Sequence, residues 1–270
     1  MILVCGGVVL LRQWSFQETL TLPSTSLLEV IHRESSERSV VSSDSPNVVL
    51  VVGCTVRRDL LTPYRPEQLS TPFLSQLAVR GTRFEDVIAA APWTRPAMTA
   101  VLTGRHAATV GMVEPGDGLN RRALPKQTAI LAEQFRNNGY ETIGATANPN
   151  LHSLFGFSRG FDTYIQPSAL WSERSYKIDG TELLDVFFRT LDLSPPRRPF
   201  YAQILFVDAH APRGMSGVSE SDLPKEVQRY LLALNTLDQQ IHSLSDGLRD
   251  RGLLENTIFV FVSDHGEGLE

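Results

Sequence analysis

The chain has 270 residues, two cysteines and a formal net charge of -5, with 42% hydrophobic and 20% charged residues. This composition excludes a disordered, coiled-coil or collagen-like chain, and the acidic balance gives no global field for binding nucleic acid. Two cysteines cannot form a disulfide scaffold, and no apolar run reaches the ~18 residues of a membrane span.

The first eleven residues, Met1 to Leu11, carry no charge. Two readings stay open for them: a clipped export signal or anchor, or an incidental start. Cys5 does not make a lipid-attachment site, because Val4 precedes it where a small residue is wanted. Residues 33–46 are polar and serine-rich and are expected to be a linker. The expected division is therefore 1–46, apolar stretch and linker, and 47–270, one folded domain.

From Asn47 onward strands and helices alternate. Asn47–Val52 is a continuous β-branched run, the pattern of a strand buried on both faces. Thr71 and Pro72 can start a helix that ends before Gly81. Residues 83–90 suit a short strand or a loop. A short helix is expected over 96–102, after Trp93 and Thr94. Residues 126–138 are amphipathic, with Ile130, Leu131 and Phe135 inward and Gly139 as the stop. Glu141–Thr146 and Phe200–Val207 read as strands. Val227, Leu231, Leu234, Ile241, Leu244 and Leu248 mark one long helix, and Thr257–Val262 a fourth buried strand. The alternation predicts an α/β fold with a mostly parallel central sheet.

In such sheets ligands bind beyond the carboxyl ends of the strands. Cys54, Asn148, His210 and the pair Asp264–His265 follow the four strands, so one edge collects a thiol, an amide, an imidazole and an acid–imidazole pair. Asp264 and His265 are good ligands for Zn, Mn or Fe; the bland reading is a helix cap beside an incidental histidine. Thr94, two residues before Pro96, puts a hydroxyl at the positive end of a helix dipole; the bland reading is an ordinary N-cap. His210 can contact a substrate or protonate a leaving group, or be structural, with Asp208 orienting it or capping a turn. Asn148 can hydrogen-bond an anion, and Asn-Pro is also plain turn chemistry. Arg57–Arg58 and Arg121–Arg122 read as solvated surface charges, though Arg57 lies near enough to the proposed site to touch an anion. Asp238 falls on the apolar face of the long helix and reads as a buried structural partner.

These pieces occur in the order of a known family. PNVVLVVGCTVRRDLL, TPFLSQLAVRGTRFEDVIAAAPWTRPAMTAVLTGRH, FVDAHAP and LDQQIHSLSDGLRDRGLLENTIFVFVSDHGEGL together resemble the sulfatase family of the alkaline phosphatase superfamily, from Pro46 to the last residue. The resemblance implies an alkaline phosphatase-like fold with helices on both sheet faces. It implies one divalent metal (Ca, Mg, Mn or Zn) on Asp264 and His265, Thr94 at the nucleophile position, and His210 at the substrate and leaving-group position. Asn148 falls where related hydrolases contact the substrate anion.

The chain departs from the family pattern in three places. The opening metal aspartate aligns with Cys54, either a ligand for a softer metal or a buried, inert cysteine. Threonine replaces the Cys or Ser that sulfatases convert to an aldehyde hydrate, and Met98 replaces a basic residue. Threonine there resembles phosphodiesterases and phosphoethanolamine transferases. The chain also stops soon after the metal pair, as a C-terminally truncated domain would. Three functions follow as expectations: a metal-dependent hydrolase of sulfate or phosphate esters, a phospho-group transferase on the same site, or a non-catalytic member. The expected substrate is a small-molecule, glycan or lipid ester. Two cysteines suit cytoplasm or periplasm; the resemblance and the uncharged start point to a periplasmic or secreted protein.

Overall fold

A computed structural model describes residues 26–33, 38–68, 70–112, 123–170, 178–211 and 224–269. Residues 1–11 with Cys5, and Arg121–Arg122, lie outside the described residues. The strands are β1 (Leu28–His32), β2 (Asn47–Gly53), β3 (Glu141–Thr146), β4 (Thr163–Pro167), β5 (Phe200–Phe206) and β6 (Thr257–Ser263). The helices are α1 (Pro72–Arg80), α2 (Thr94–Thr103), α3 (Leu131–Asn137), α4 (Gly180–Leu193) and α5 (Lys225–Asp250).

The strands form one sheet in the order β1-β4-β3-β5-β2-β6, parallel throughout except for β1, which runs antiparallel to β4. Two of the apolar runs seen in the sequence are central strands: Val49, Val51 and Val52 of β2 are fully buried, and every residue of β5 is buried. The run over Thr257–Val262, expected to be a buried strand, is instead an edge: β6 pairs only with β2 among the described residues, and Ile258 and Val260 are exposed. Helices cover both faces. On one, Phe135 of α3 stacks on Tyr201 of β5 at 4.3 Å between ring centroids. Phe206, five residues along the strand and therefore on the other face, lies against Gly180 at the start of α4. There α1 and α4 both pack on α5.

The sheet also draws on residues upstream of Asn47. Leu28–His32, within the 1–46 segment, pairs with β4, with Val30 opposite Ile165. This strand is short and only half buried, an edge strand whose pattern is weak beside a serine-rich stretch. The described part of the linker is also docked. Arg38 grips the Asp162 carboxylate with both terminal nitrogens, and a Cβ on Gly139 would sit 2.4 Å from the Ser39 carbonyl oxygen. Gly139, with φ +91°, is thus required both for its backbone conformation and for this close approach.

β4 and α4 have no counterpart among the expected elements. Residues 83–90 form an exposed loop, and the helix expected over 126–138 is confined to α3. The start of α1 differs in mechanism. Thr71 makes no side-chain cap; its hydroxyl accepts from the Thr62 N–H at 2.9 Å. The cap comes from α5, where the Asp238 carboxylate accepts the Phe73 and Leu74 N–H groups, each at 2.8 Å. Burial pushes this carboxyl upward, and the two N–H groups pull it back.

Asp238→Ala leaves two buried N–H groups unpaired and should cost about 1–3 kcal/mol. In urea unfolding its midpoint should fall with unchanged slope, while the exposed Asp250→Ala should stay within about 0.5 kcal/mol of wild type. Equal midpoints for the two variants would contradict the capping role.

Candidate active site

β3, β5, β2 and β6 are adjacent and parallel, so their carboxyl ends open on one edge. Register aligns them closely: Gly53 stands opposite both Phe206 and Ser263. The next residues, Cys54 and Asp264, are therefore neighbours.

Asp264 is 1% exposed. Its Oδ1 accepts two N–H groups, from Thr55 at 2.9 Å and from His265 at 2.7 Å. Its Oδ2 is buried and has no hydrogen-bond partner among the described residues. A bare carboxylate oxygen in the interior is costly unless a positive charge faces it. His265 Nδ1 lies 2.7 Å from the Gly266 carbonyl oxygen; as donor there it leaves the Nε2 lone pair directed inward. That Nε2 is 3.5 Å from Asp264 Oδ2. The ligand atoms of Cys54, Asp264 and His265 all lie within 4.8 Å of one another. Burial, and then the Asp264 charge, push the Cys54 thiol upward. A cation among these three groups would face the bare oxygen and favour the thiolate, so the residues present fit a divalent metal.

Thr94 is the first residue of α2 and is 3% exposed. Trp93 occupies the cap position, with no side-chain cap bond, so the threonine hydroxyl is not spent on starting the helix. Instead Thr94 Oγ1 lies 3.6 Å from Cys54 Sγ and 3.4 Å from both His265 Nε2 and Asn148 Nδ2. Asn148 forms the turn expected of Asn-Pro and also turns its amide nitrogen into the cluster. Its Oδ1 accepts the Asn150 N–H at 2.9 Å, closing the turn, while its Nδ2 approaches Cys54 Sγ at 3.5 Å as well as Thr94.

The sequence reading missed the scaffold of the loop after β2. Thr55 has φ +63°, a left-handed conformation that costs a β-branched residue of order 1–3 kcal/mol. It is held there from three sides. Asp264 takes its N–H, Tyr230 of α5 donates to its carbonyl at 2.7 Å, and Ser263 Oγ accepts the Val56 N–H at 3.1 Å. Tyr230 also accepts the Arg57 N–H at 2.7 Å. Arg95 was missed too. It is 1% exposed, lies over the Phe155 ring at 4.0 Å and donates to Asn150 Oδ1 at 3.3 Å. Only its position beside Thr94 marks it in the sequence.

Two other expected residues make hydrogen bonds to groups outside this cluster. Arg57 binds Asp59 through Nε at 3.0 Å and Nη2 at 2.8 Å, and the Glu267 carbonyl through Nη1 at 3.2 Å. Its charge is thus already taken up locally by an acid two residues away. His210 sits in the turn after β5, at the same sheet edge, with its N–H on the Val207 carbonyl at 2.9 Å and its Nδ1 against the Ala211 carbonyl. Met98 is fully buried in α2.

The family model "Sulfatase" matches residues 46–270, and the chain belongs to the sulfatase family. It is 25% identical over 263 residues to an ulvan-active sulfatase of Formosa agariphila, covering 82% of this chain and 50% of that protein. Among solved structures, a 2-O GAG sulfatase superposes with a TM-score of 0.63 at 19% identity, covering 83% of this chain and 59% of the other. The C-terminal periplasmic domain of EcEptC from Escherichia coli, solved in complex with Zn, gives a TM-score of 0.59 at 20% identity, covering 92% and 69%. These superpositions show the alkaline phosphatase-like fold, and the chain spans about half the length of the curated relatives it matches.

A cation held by Asp264 should stabilise the fold by mass action, about 2.7 kcal/mol at one hundred times its Kd. Thermal unfolding with zinc, manganese, calcium or magnesium chloride should show an upward shift for at least one ion. Asp264→Asn keeps an oxygen for the two N–H groups, so it should fold and show no such shift. An equal shift in the variant would put the cation elsewhere.

Proposed function

We propose that this member of the sulfatase family is a metal-dependent hydrolase of phosphate or sulfate esters that uses Thr94 as its nucleophile. The observation that carries this is the Thr94 hydroxyl, 3.4 Å from His265 Nε2 and 3.6 Å from Cys54 Sγ, beside a carboxylate oxygen without a partner. Asp264, His265 and Cys54 would hold the ion, which when bound supplies Lewis-acid polarisation and favours the ionised hydroxyl. Thr94 Oγ attacks the phosphorus or sulfur, the bond to the leaving oxygen breaks, and the group is carried briefly as an ester of Thr94. Asn148 Nδ2 and the positive end of the α2 dipole face the anionic oxygens. His210 donates a proton to the leaving oxygen. Water then cleaves the threonine ester and restores the hydroxyl. The substrate class is an ester on a glycan, a lipid or a small aryl alcohol, met in the periplasm or outside the cell.

Threonine favours phosphate over sulfate, because its methyl-bearing carbon cannot become the aldehyde hydrate of the family's sulfate-cleaving members. The same feature supports a second reading, transfer of the phospho-group to an acceptor alcohol instead of water. Adding acceptor alcohols separates the two: a transferase should turn over slowly until one is present.

Thr94→Ala should lower kcat/KM for an aryl phosphate by about 1000-fold or more, and Thr94→Ser should retain turnover. Turnover persisting in the alanine variant would remove Thr94 as nucleophile.

A further inference from the structure

We propose that Cys54 is a metal ligand, and that with Asp264, His265 and the Thr94 hydroxyl it builds a four-cornered site selective for zinc-like ions over calcium and magnesium. This rests on the reading of these residues as one cation site and narrows which ion that site accepts.

The first argument is spacing. Three separations link the four donors in a chain: Cys54 Sγ to Thr94 Oγ1 is 3.6 Å, Thr94 Oγ1 to His265 Nε2 is 3.4 Å, and His265 Nε2 to Asp264 Oδ2 is 3.5 Å. A tetrahedral ion with bonds of about 2.0 Å to nitrogen or oxygen and 2.3 Å to sulfur separates its ligands by roughly 3.3–3.8 Å. Three of the six edges of such a tetrahedron are thus present, and the thiol, carboxylate and imidazole atoms all lie within 4.8 Å of one another.

The second argument is donor chemistry. Calcium requires about six to eight oxygens, and magnesium a near-octahedral oxygen shell. Among the described residues, the clustered ligand groups are one thiol, one carboxylate and one imidazole. Sulfur and imidazole nitrogen match zinc and cobalt, not hard ions. The third argument is support. Asn148 Nδ2 lies 3.5 Å from Cys54 Sγ as a donor suited to a thiolate, and the Gly266 carbonyl at 2.7 Å fixes the His265 ring with Nε2 inward. Cys54 is fully buried, so without a metal its sulfur would face Asp264 in the interior. The unpartnered Asp264 Oδ2 is the independent sign that a cation completes the cluster.

The test uses the whole chain in a Cys5→Ser background, which removes the one other thiol in the sequence. Chelator-treated protein is titrated with cobalt(II) and followed by absorption. One equivalent should bind and give a sulfur-to-cobalt charge-transfer band in the near ultraviolet with visible bands of tetrahedral intensity. Zinc(II) should displace it, and calcium or magnesium in large excess should not. Cys54→Ser should remove the charge-transfer band and weaken zinc binding by roughly 100-fold, on the scale of losses at metal sites. Cys54→Asp, which replaces the thiol with a carboxylate, should let calcium or magnesium compete for the site.

One cobalt bound without the charge-transfer band would overturn the Cys54 assignment and leave the cation site standing. Calcium displacing cobalt from wild type would overturn the selectivity. No cobalt, zinc, calcium or magnesium bound would overturn both the proposal and the site on which it rests. The spectrum of the unsubstituted site decides the main point even if a Cys54 variant fails to fold.

Discussion

A single carboxylate ties the ends of two strands together. Asp264 Oδ1 accepts from Thr55, beyond β2, and from its own neighbour His265, beyond β6. This clamp helps hold Thr55 in a left-handed conformation and orients the loop that carries Cys54. It also consumes one oxygen completely and leaves Oδ2 bare in the interior. The fold thus uses half of the carboxylate as a backbone staple and leaves the other half open to the cation proposed above. Tyr230 from α5 and Ser263 from β6 repeat the pattern, side chains from the covering helix and the neighbouring strand holding a strained loop. Strain at a functional loop persists when its surroundings over-determine it.

The second constraint is topological. Neighbouring parallel strands must end on the same edge, so groups far apart in sequence meet without any long-range device beyond the sheet ladder. Thr94 arrives from a different direction, at the first turn of α2. Because Trp93 occupies the cap position, the Thr94 hydroxyl is available to the cluster. Asn148 bridges the two halves: one end of its amide closes a turn after β3 while the other reaches both sulfur and hydroxyl. A hydroxyl, a thiol, an imidazole and a carboxylate are therefore held by backbone geometry before any ligand arrives, which lowers the reorganisation that a reaction would require.

Much of this was legible in the chain. The central strands announce themselves because strands buried on both faces are continuous apolar runs, and residues after such runs must lie at the ligand-binding edge. Asp238 was legible as a structural partner, since a carboxylate on the apolar face of a helix must find donors inside. Other features carry no such signature. β1 is a half-buried edge strand of five residues whose pattern is too short to stand out. The helical period of α4 follows a segment of no clear pattern and went unassigned. The left-handed Thr55 contradicts its own residue type, and nothing local signals that Tyr230, 175 residues away, secures it. Arg57 reads from the sequence as a surface charge within reach of an anion, and nothing in that reading names Asp59 as its partner. Which groups gather is therefore legible in the sequence, while loop strain and charge pairing are tertiary.

The central claim is that the Thr94 hydroxyl is the atom that attacks. The most direct measurement is peptide mass spectrometry on metal-loaded protein, mixed with an aryl phosphate and quenched in acid within one turnover. A phosphoryl ester on Thr94, absent when the metal is removed, is the expected result. Turnover with no modified Thr94, or a phosphoryl group on another side chain, would contradict the account.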